Sequence, residues 1–150
     1  MMLILRRAFF FAVLTALLPL TAVAQAFDTS ATAAYVIDQT TGTTLLSKDA
    51  ETPLPPASMS KLMTIYMAFE AVADGRLRID EKLLVSQHAM NYGGSTMFLR
   101  AGERISVEDL LRGVIVLSGN DASTVLAEAI SIDGTEAGFA RMMTNRAREM

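Results

Sequence analysis

The chain has 150 residues, 13 basic and 16 acidic groups, a net charge of −3, one histidine and no cysteine. The missing thiols exclude cysteine nucleophiles, disulfide staples and thiolate-held metals, and the lone His88 is all that a Ser-His-Asp triad or a histidine-rich metal site would have to draw on. A net negative chain also argues against nucleic acid as a partner.

Arg6 and Arg7, an apolar run over residues 8–18, Pro19 and the small-residue series Ala22-Val23-Ala24-Gln25-Ala26 make the pattern of a secretory signal peptide cleaved after Ala24 or Ala26. The run is shorter than the ~20 apolar residues of a membrane span. Residues 1–26 are therefore expected to be a signal peptide and the protein to be exported. Their removal takes two of the 13 basic residues and none of the 16 acidic ones, which moves the net charge from −3 to −5.

Residues 33–37 and 43–47 are β-prone runs separated by a turn-rich stretch ending in Gly42, and together they read as a hairpin. Pro53, Pro55 and Pro56 then hold the chain extended before a helix that enters at Ala57-Ser58 and ends at Asp74-Gly75. Along it Met59, Leu62, Met63, Tyr66, Met67 and Val72 keep a helical rhythm, and this methionine-rich stripe is read as core. A short strand is expected within residues 79–85, and Gly93-Gly94-Ser95 is a turn by composition.

Ser106 stands three residues before Asp109 in capping-box spacing and opens a helix whose apolar face is Val107, Leu110, Leu111, Val114 and Ile115. It should stop near Ser118-Gly119, with Asn120 or Asp121 capping the next helix, which runs to the Asp133-Gly134 turn. From Thr135 the positions Phe139, Met142, Met143, Ala147 and Met150 keep helical spacing to the last residue, which reads as a fragment cut inside or at the end of a helix.

Two short motifs carry chemistry. In Ser58-Met59-Ser60-Lys61, a serine at a helix start is most often only an N-cap, and the alternative for Lys61 is a side chain reaching out to solvent. Yet a lysine in the first helical turn sits at the positive end of the helix dipole, where it does not help the helix. Three residues apart, the two side chains are neighbours on the helix surface, within reach for an amine to take the proton of a serine nucleophile. Ser118-Gly119-Asn120 lies at a break between apolar helices, where Ser118 could pass a proton to a leaving group and Asn120 could offer an amide to a substrate peptide bond. The backbone N–H of Ser58, at a helix start, is a natural oxyanion donor.

With these motifs in their full context, Pro56-Ala57-Ser58-Met59-Ser60-Lys61-Leu62-Met63-Thr64 and Leu110-Leu111-Arg112-Gly113-Val114-Ile115-Val116-Leu117-Ser118-Gly119-Asn120-Asp121-Ala122, residues 33–150 resemble the low-molecular-mass penicillin-binding proteins, the serine-type D-Ala-D-Ala carboxypeptidases. Gly94-Ser95-Thr96-Met97-Phe98-Leu99 and the hairpin near residues 38–46 are also similar to that family. The resemblance implies an α+β fold of the DD-peptidase and β-lactamase kind, an antiparallel sheet with packed helices and a helical lobe, of which residues 27–150 would be the N-terminal part of the catalytic domain.

It further implies Ser58 as acylated nucleophile, Lys61 as general base, Ser118 as proton relay and Asn120 as substrate contact, with no metal and no organic cofactor. The implied substrate is the peptidoglycan stem peptide, with β-lactams as covalent inhibitors. The implied location is the periplasm or the outer face of the cytoplasmic membrane, with peripheral membrane association through a C-terminal segment not contained in the chain. The family's Lys-Thr-Gly strand is missing from the chain, so these residues alone are expected to be inactive. Gly119, where class A β-lactamases carry Asp, leans toward a carboxypeptidase. A D,D-endopeptidase or β-lactamase of the same fold and a non-catalytic penicillin-recognising sensor are the alternatives.

Overall fold

The computed structural model describes residues 29–150, so the signal-peptide expectation for residues 1–26 lies outside the described residues. The chain divides into two compact units, one ending at Pro53 and one spanning Leu54–Met150.

In the first unit, β1 (Ala34–Ile37) and β2 (Thr44–Lys48) form the antiparallel hairpin, pairing Tyr35 with Ser47 and Val36 with Leu46, with a bulge between Val36 and Ile37. The turn is built on Asp38, whose carboxylate accepts from the Thr40 N–H at 2.8 Å and the Thr41 hydroxyl at 2.9 Å. These donors, the Thr40 N–H first, hold its pKa below the ordinary value.

The second unit opens with a 3-10 turn, Ala57–Met59, that runs into α1 (Ser60–Ala73). There follow β3 (Lys82–Leu84), the short α2 (Gln87–Met90), β4 (Arg104–Ser106), α3 (Val107–Leu117), α4 (Asn120–Ile130) and α5 (Glu136–Glu149). β3 and β4 pair antiparallel, with Leu83 opposite Ile105. Neither β4 nor α2 is visible in the sequence pattern, because three- and four-residue elements are too short to show a period.

Helix α4 is the centre of the unit, packed against α1, α2, α3, α5 and β3. Its buried face of Ala122, Val125, Leu126 and Ile130 meets Met67, Ala68, Ala71, Leu110, Val114 and Phe139 in one hydrophobic core. Full burial of side chains such as Phe139, Leu110 and Leu126 stabilises the unit by roughly 1.5–3 kcal/mol each. The methionine stripe is only partly core: Met67 is buried and Met63 half-buried, but Met59 and Leu62 are 69% and 71% exposed. The reason is geometric, since Thr64, Met67, Ala68 and Ala71 already fill the face that α1 turns to α4, and residues 59 and 62 fall on the opposite one.

Ser106 caps α3 as its spacing predicts, accepting from the Asp109 N–H at 3.1 Å while its hydroxyl donates to the Asp109 carboxylate at 2.6 Å. Helix α5 is tied down at its start by Asp133, whose Oδ1 accepts from the Ser131 hydroxyl at 2.7 Å and from the Thr135 N–H at 3.0 Å. These donors, with Arg141 at 2.7 Å on the other oxygen, hold the Asp133 pKa down to about 2. A depressed carboxyl stabilises the fold above its unfolded value of 3.8, and that contribution is lost as pH falls through about 2. Asp133→Ala is therefore expected to lower the thermal midpoint at pH 7, and to melt with the parent as pH approaches 2. Parallel melts at the two pH values check this, and a gap that persists unchanged into acid would assign the effect to something other than the carboxylate.

Candidate active site

Pro55 and Pro56 deliver the chain to the 3-10 turn, where Ala57 takes a left-handed φ of 47°, unusual for a residue with a Cβ. The Ser60 hydroxyl donates to the Ala57 carbonyl at 2.8 Å, which fastens the turn to the start of α1. Pro56 and Met59 occupy the cap positions of the turn and of α1, and neither helix start has a side-chain cap bond. Ser58 is thus no N-cap. Its Oγ, exposed, accepts instead from Lys61 Nζ at 3.3 Å. Lys61 is half-buried rather than extended into solvent, because the same Nζ donates to Asn120 Oδ1 at 2.6 Å. The Ser58 backbone N–H, at the helix start, finds no acceptor among the described residues.

The second motif arrives from the end of α3. Ser118 closes that helix in the left-handed conformation, φ 55° and ψ 37°, and the N–H groups of Ser118 and Gly119 both reach the Gly113 carbonyl. Glycine normally takes this place, and a serine there costs about 1–2 kcal/mol. Gly119 then takes the N-cap position of α4, so the expected capping by Asn120 or Asp121 does not occur. Their side chains are used elsewhere.

Asn120 links three segments. Its Oδ1 meets Lys61, its Nδ2 donates to the Gly93 carbonyl at 2.7 Å, and its backbone N–H donates to the Ser95 carbonyl at 2.7 Å. Asp121, 1% exposed, accepts from the backbone N–H groups of Met97 at 2.9 Å, Leu99 at 3.1 Å and Ala122 at 2.8 Å. The loop over residues 93–99, which composition marks only as a turn, is thus clamped onto the start of α4. The clamp needs little side-chain bulk: Gly94 has φ +77° and a Cβ there would stand 3.2 Å from Asn120 Nδ2, while a Cβ on Gly113 would overlap the Met97 side chain. Asp121 carried a signal that composition alone did not decode, a carboxylate on the apolar face of a helix, which has to be satisfied by donors from elsewhere.

The structure brings together Ser58, Lys61 and Asn120. It leaves the Ser118 hydroxyl without a hydrogen-bond partner among the described residues, two positions from Asn120 at the mouth of the same helix break. His88 takes no part: its Nε2 lies 3.0 Å from Glu136 Oε2, on the surface. Beside Lys61 and Asn120 is a cavity of about 170 Å³, with Thr64, Thr124, Tyr92 and Glu136 in its polar wall and Phe139 and Met143 in its apolar one. The Tyr92 hydroxyl donates to Glu136 Oε2 at 2.5 Å, and this bond pushes the Tyr92 pKa up to about 12. Chemically, the arrangement offers a hydroxyl nucleophile, an adjacent amine held in place by an amide, and a backbone N–H without an acceptor among the described residues, the parts of an acyl-transfer site.

Comparison with known proteins places this chain in a family. The D-alanyl-D-alanine carboxypeptidase family model matches residues 20–150. D-alanyl-D-alanine carboxypeptidase DacF of Bacillus subtilis is 40% identical over 120 residues, 80% of this chain and 30% of that protein. Among solved structures, the D-alanyl-D-alanine carboxypeptidase DacD from Francisella tularensis superposes with a TM-score of 0.75 at 35% identity, over 83% of this chain and 30% of that one. Penicillin binding protein 6B from Escherichia coli does so with a TM-score of 0.67 at 36% identity, over 84% and 42%. The fold is accordingly the α+β fold of the DD-peptidases, and the chain spans about 30% of the length of the carboxypeptidase relative DacF. By the match over residues 20–150, the chain belongs to the D-alanyl-D-alanine carboxypeptidase family.

Proposed function

We propose that the complete protein is a serine-type D-Ala-D-Ala carboxypeptidase that removes the terminal D-alanine of peptidoglycan stem peptides through an acyl-enzyme on Ser58, and that β-lactams acylate the same serine. The observation that carries this reading is the bonded series Ser58 Oγ, Lys61 Nζ, Asn120 Oδ1, at 3.3 and 2.6 Å. The names of its relatives, D-alanyl-D-alanine carboxypeptidase and penicillin binding protein, support the substrate and the inhibitor class.

In the proposed cycle Ser58 Oγ attacks the carbonyl carbon of the penultimate D-alanine as its proton passes to the neutral Lys61 amine. A neutral amine keeps N–H groups, so Lys61 can hold Asn120 Oδ1 while its lone pair faces Ser58. The Ser58 N–H, which has no acceptor among the described residues, donates to the developing oxyanion. Ser118, whose hydroxyl is uncommitted among the described residues, carries the proton from Lys61 to the departing D-alanine nitrogen, and water then hydrolyses the ester. Asn120 contacts the substrate amide beside this path. In the same reading residues 1–26 are a signal peptide and residues 27–150 the N-terminal portion of the transpeptidase-like catalytic domain. The enzyme then works in the periplasm or on the outer face of the cytoplasmic membrane, attached peripherally through a C-terminal segment.

The test is intact mass of the mature full-length protein after penicillin, followed by D-alanine release from a stem peptide. An adduct on Ser58 with release of D-alanine supports the carboxypeptidase. An adduct without release points to an endopeptidase or sensor, rapid penicillin turnover to a β-lactamase, and no adduct overturns the acyl-enzyme reading.

A further inference from the structure

Asn120 can serve Lys61 only with its oxygen turned toward the amine. An amide side chain has two orientations of nearly equal shape, and the choice is made by what faces the other end. Here Nδ2 is held by the Gly93 carbonyl at 2.7 Å, which leaves Oδ1 for Lys61 at 2.6 Å. Were that carbonyl to swing away, the amide could turn its NH2 group toward the amine, donor against donor. The position of one backbone carbonyl therefore matters to the base.

Gly93 and Gly94 have no side chains with which to fix that carbonyl, and Gly94 sits at φ +77°. Downstream the loop is fastened by the Ser95 carbonyl on Asn120 N–H and by Asp121. Upstream residue 92, directly before Gly93, is fastened twice: its backbone N–H donates to the Ala89 carbonyl at 3.2 Å, and the Tyr92 hydroxyl donates to Glu136 Oε2 at 2.5 Å. His88 Nε2 stands 3.0 Å from the same oxygen, and its ring meets the Tyr92 ring edge to face at 5.4 Å. Tyr92 and Glu136 also line the cavity that Lys61 and Asn120 line.

We propose that Tyr92, anchored on Glu136, is a positioning residue for the acyl-transfer site: it holds the Gly93 carbonyl that orients the Asn120 amide toward Lys61. The inference rests on the acyl-enzyme reading above. Because Glu136 pushes the Tyr92 pKa up to about 12, the phenol keeps its proton and donates throughout the neutral and mildly alkaline range. A purely structural bond between α5 and residue 92 would contribute to stability alone; a positioning bond shows in the chemical step.

The experiment resolves penicillin acylation of the full-length protein into noncovalent affinity and acylation rate constant, with a thermal melt alongside, for Tyr92→Phe, Glu136→Ala and Glu136→Gln. Tyr92→Phe keeps the ring and loses the donor, and it is expected to slow acylation about tenfold, the worth of one hydrogen bond, with noncovalent affinity within about twofold. Glu136→Ala breaks the same bond from the other side and should give a similar loss, so it serves equally if Tyr92→Phe does not fold. Glu136→Gln retains an oxygen acceptor and should restore most of the rate. Acylation at the parent rate in Tyr92→Phe, or no recovery in Glu136→Gln relative to Glu136→Ala, overturns the inference while leaving the acyl-enzyme reading intact. Failure of the unsubstituted protein to label overturns that reading, and this inference with it.

Discussion

Ser58→Ala in the full-length protein is expected to abolish covalent labelling by penicillin and D-alanine release together. The basis is that this hydroxyl makes no capping bond. A serine that capped α1 would be bound to a backbone N–H, and its loss would cost on the order of 1 kcal/mol of stability. Ser58 makes no such bond, its Oγ is exposed, and Lys61 Nζ is its hydrogen-bond partner. Replacing it should therefore leave the fold and melting temperature nearly unchanged while removing the atom that would carry the acyl group. Intact mass after penicillin reads the result directly. Label at full stoichiometry in Ser58→Ala would move the nucleophile elsewhere, and Ser60, fastened to the Ala57 carbonyl, would be the first serine to examine.

How much of this site could be read in advance depended on the distance over which each contact is made. The Ser58–Lys61 pair is local, three residues along one helical turn, and helix geometry alone brings the side chains together. Asn120 is 59 residues away from Lys61: the motif around it resembles a known family and marked it as a site residue, but its bond to Lys61 was not read. Where neither locality nor motif helped, the reading stopped short. The loop over residues 93–99 looks like an ordinary glycine turn, and nothing in its composition announces that Asp121 gathers the N–H groups of Met97 and Leu99. Nor does anything in the sequence place Tyr92 against Glu136, 44 residues further on.

The same logic explains the errors in the fold. Long periodic helices such as α3 and α5 were legible, and so was the Ser106 cap of α3, because capping is a local bond between a side chain and the next turn; the Thr135 cap of α5 was not read. The break at Ser118-Gly119 was legible too, but not which residue would cap α4. Asn120 and Asp121 are both good caps by propensity, and each is drawn away by a tertiary partner, Lys61 or the 93–99 loop, leaving Gly119 in the cap position. Residues that break a local rule here are the ones that build the site. Ser118 does so in another way, by taking a left-handed conformation that glycine would take without strain.

Lys61→Ala is expected to slow acylation by about 10²–10⁴-fold, the range for loss of a general base. In the structure Lys61 is not a stabilising element of α1, since a cation in the first turn opposes the helix dipole. Its two bonds, to Ser58 Oγ and Asn120 Oδ1, place it in the site instead. Truncation leaves Asn120 still held by the Gly93 carbonyl and by its own N–H on Ser95, so its amide should stay in place and noncovalent penicillin affinity should change little. The loss should fall on the rate constant of the chemical step. It should also be partly recovered by a small primary amine in solution, because truncation opens space beside the 170 Å³ cavity that Lys61 lines, and a free amine can enter it and take the Ser58 proton. Stopped-flow acylation of Lys61→Ala, with and without methylamine, measures both effects. Unchanged acylation kinetics would reduce Lys61 to a partner of Asn120 with no part in proton transfer, whereas a large loss that the amine restores would assign the proton to the lysine nitrogen itself.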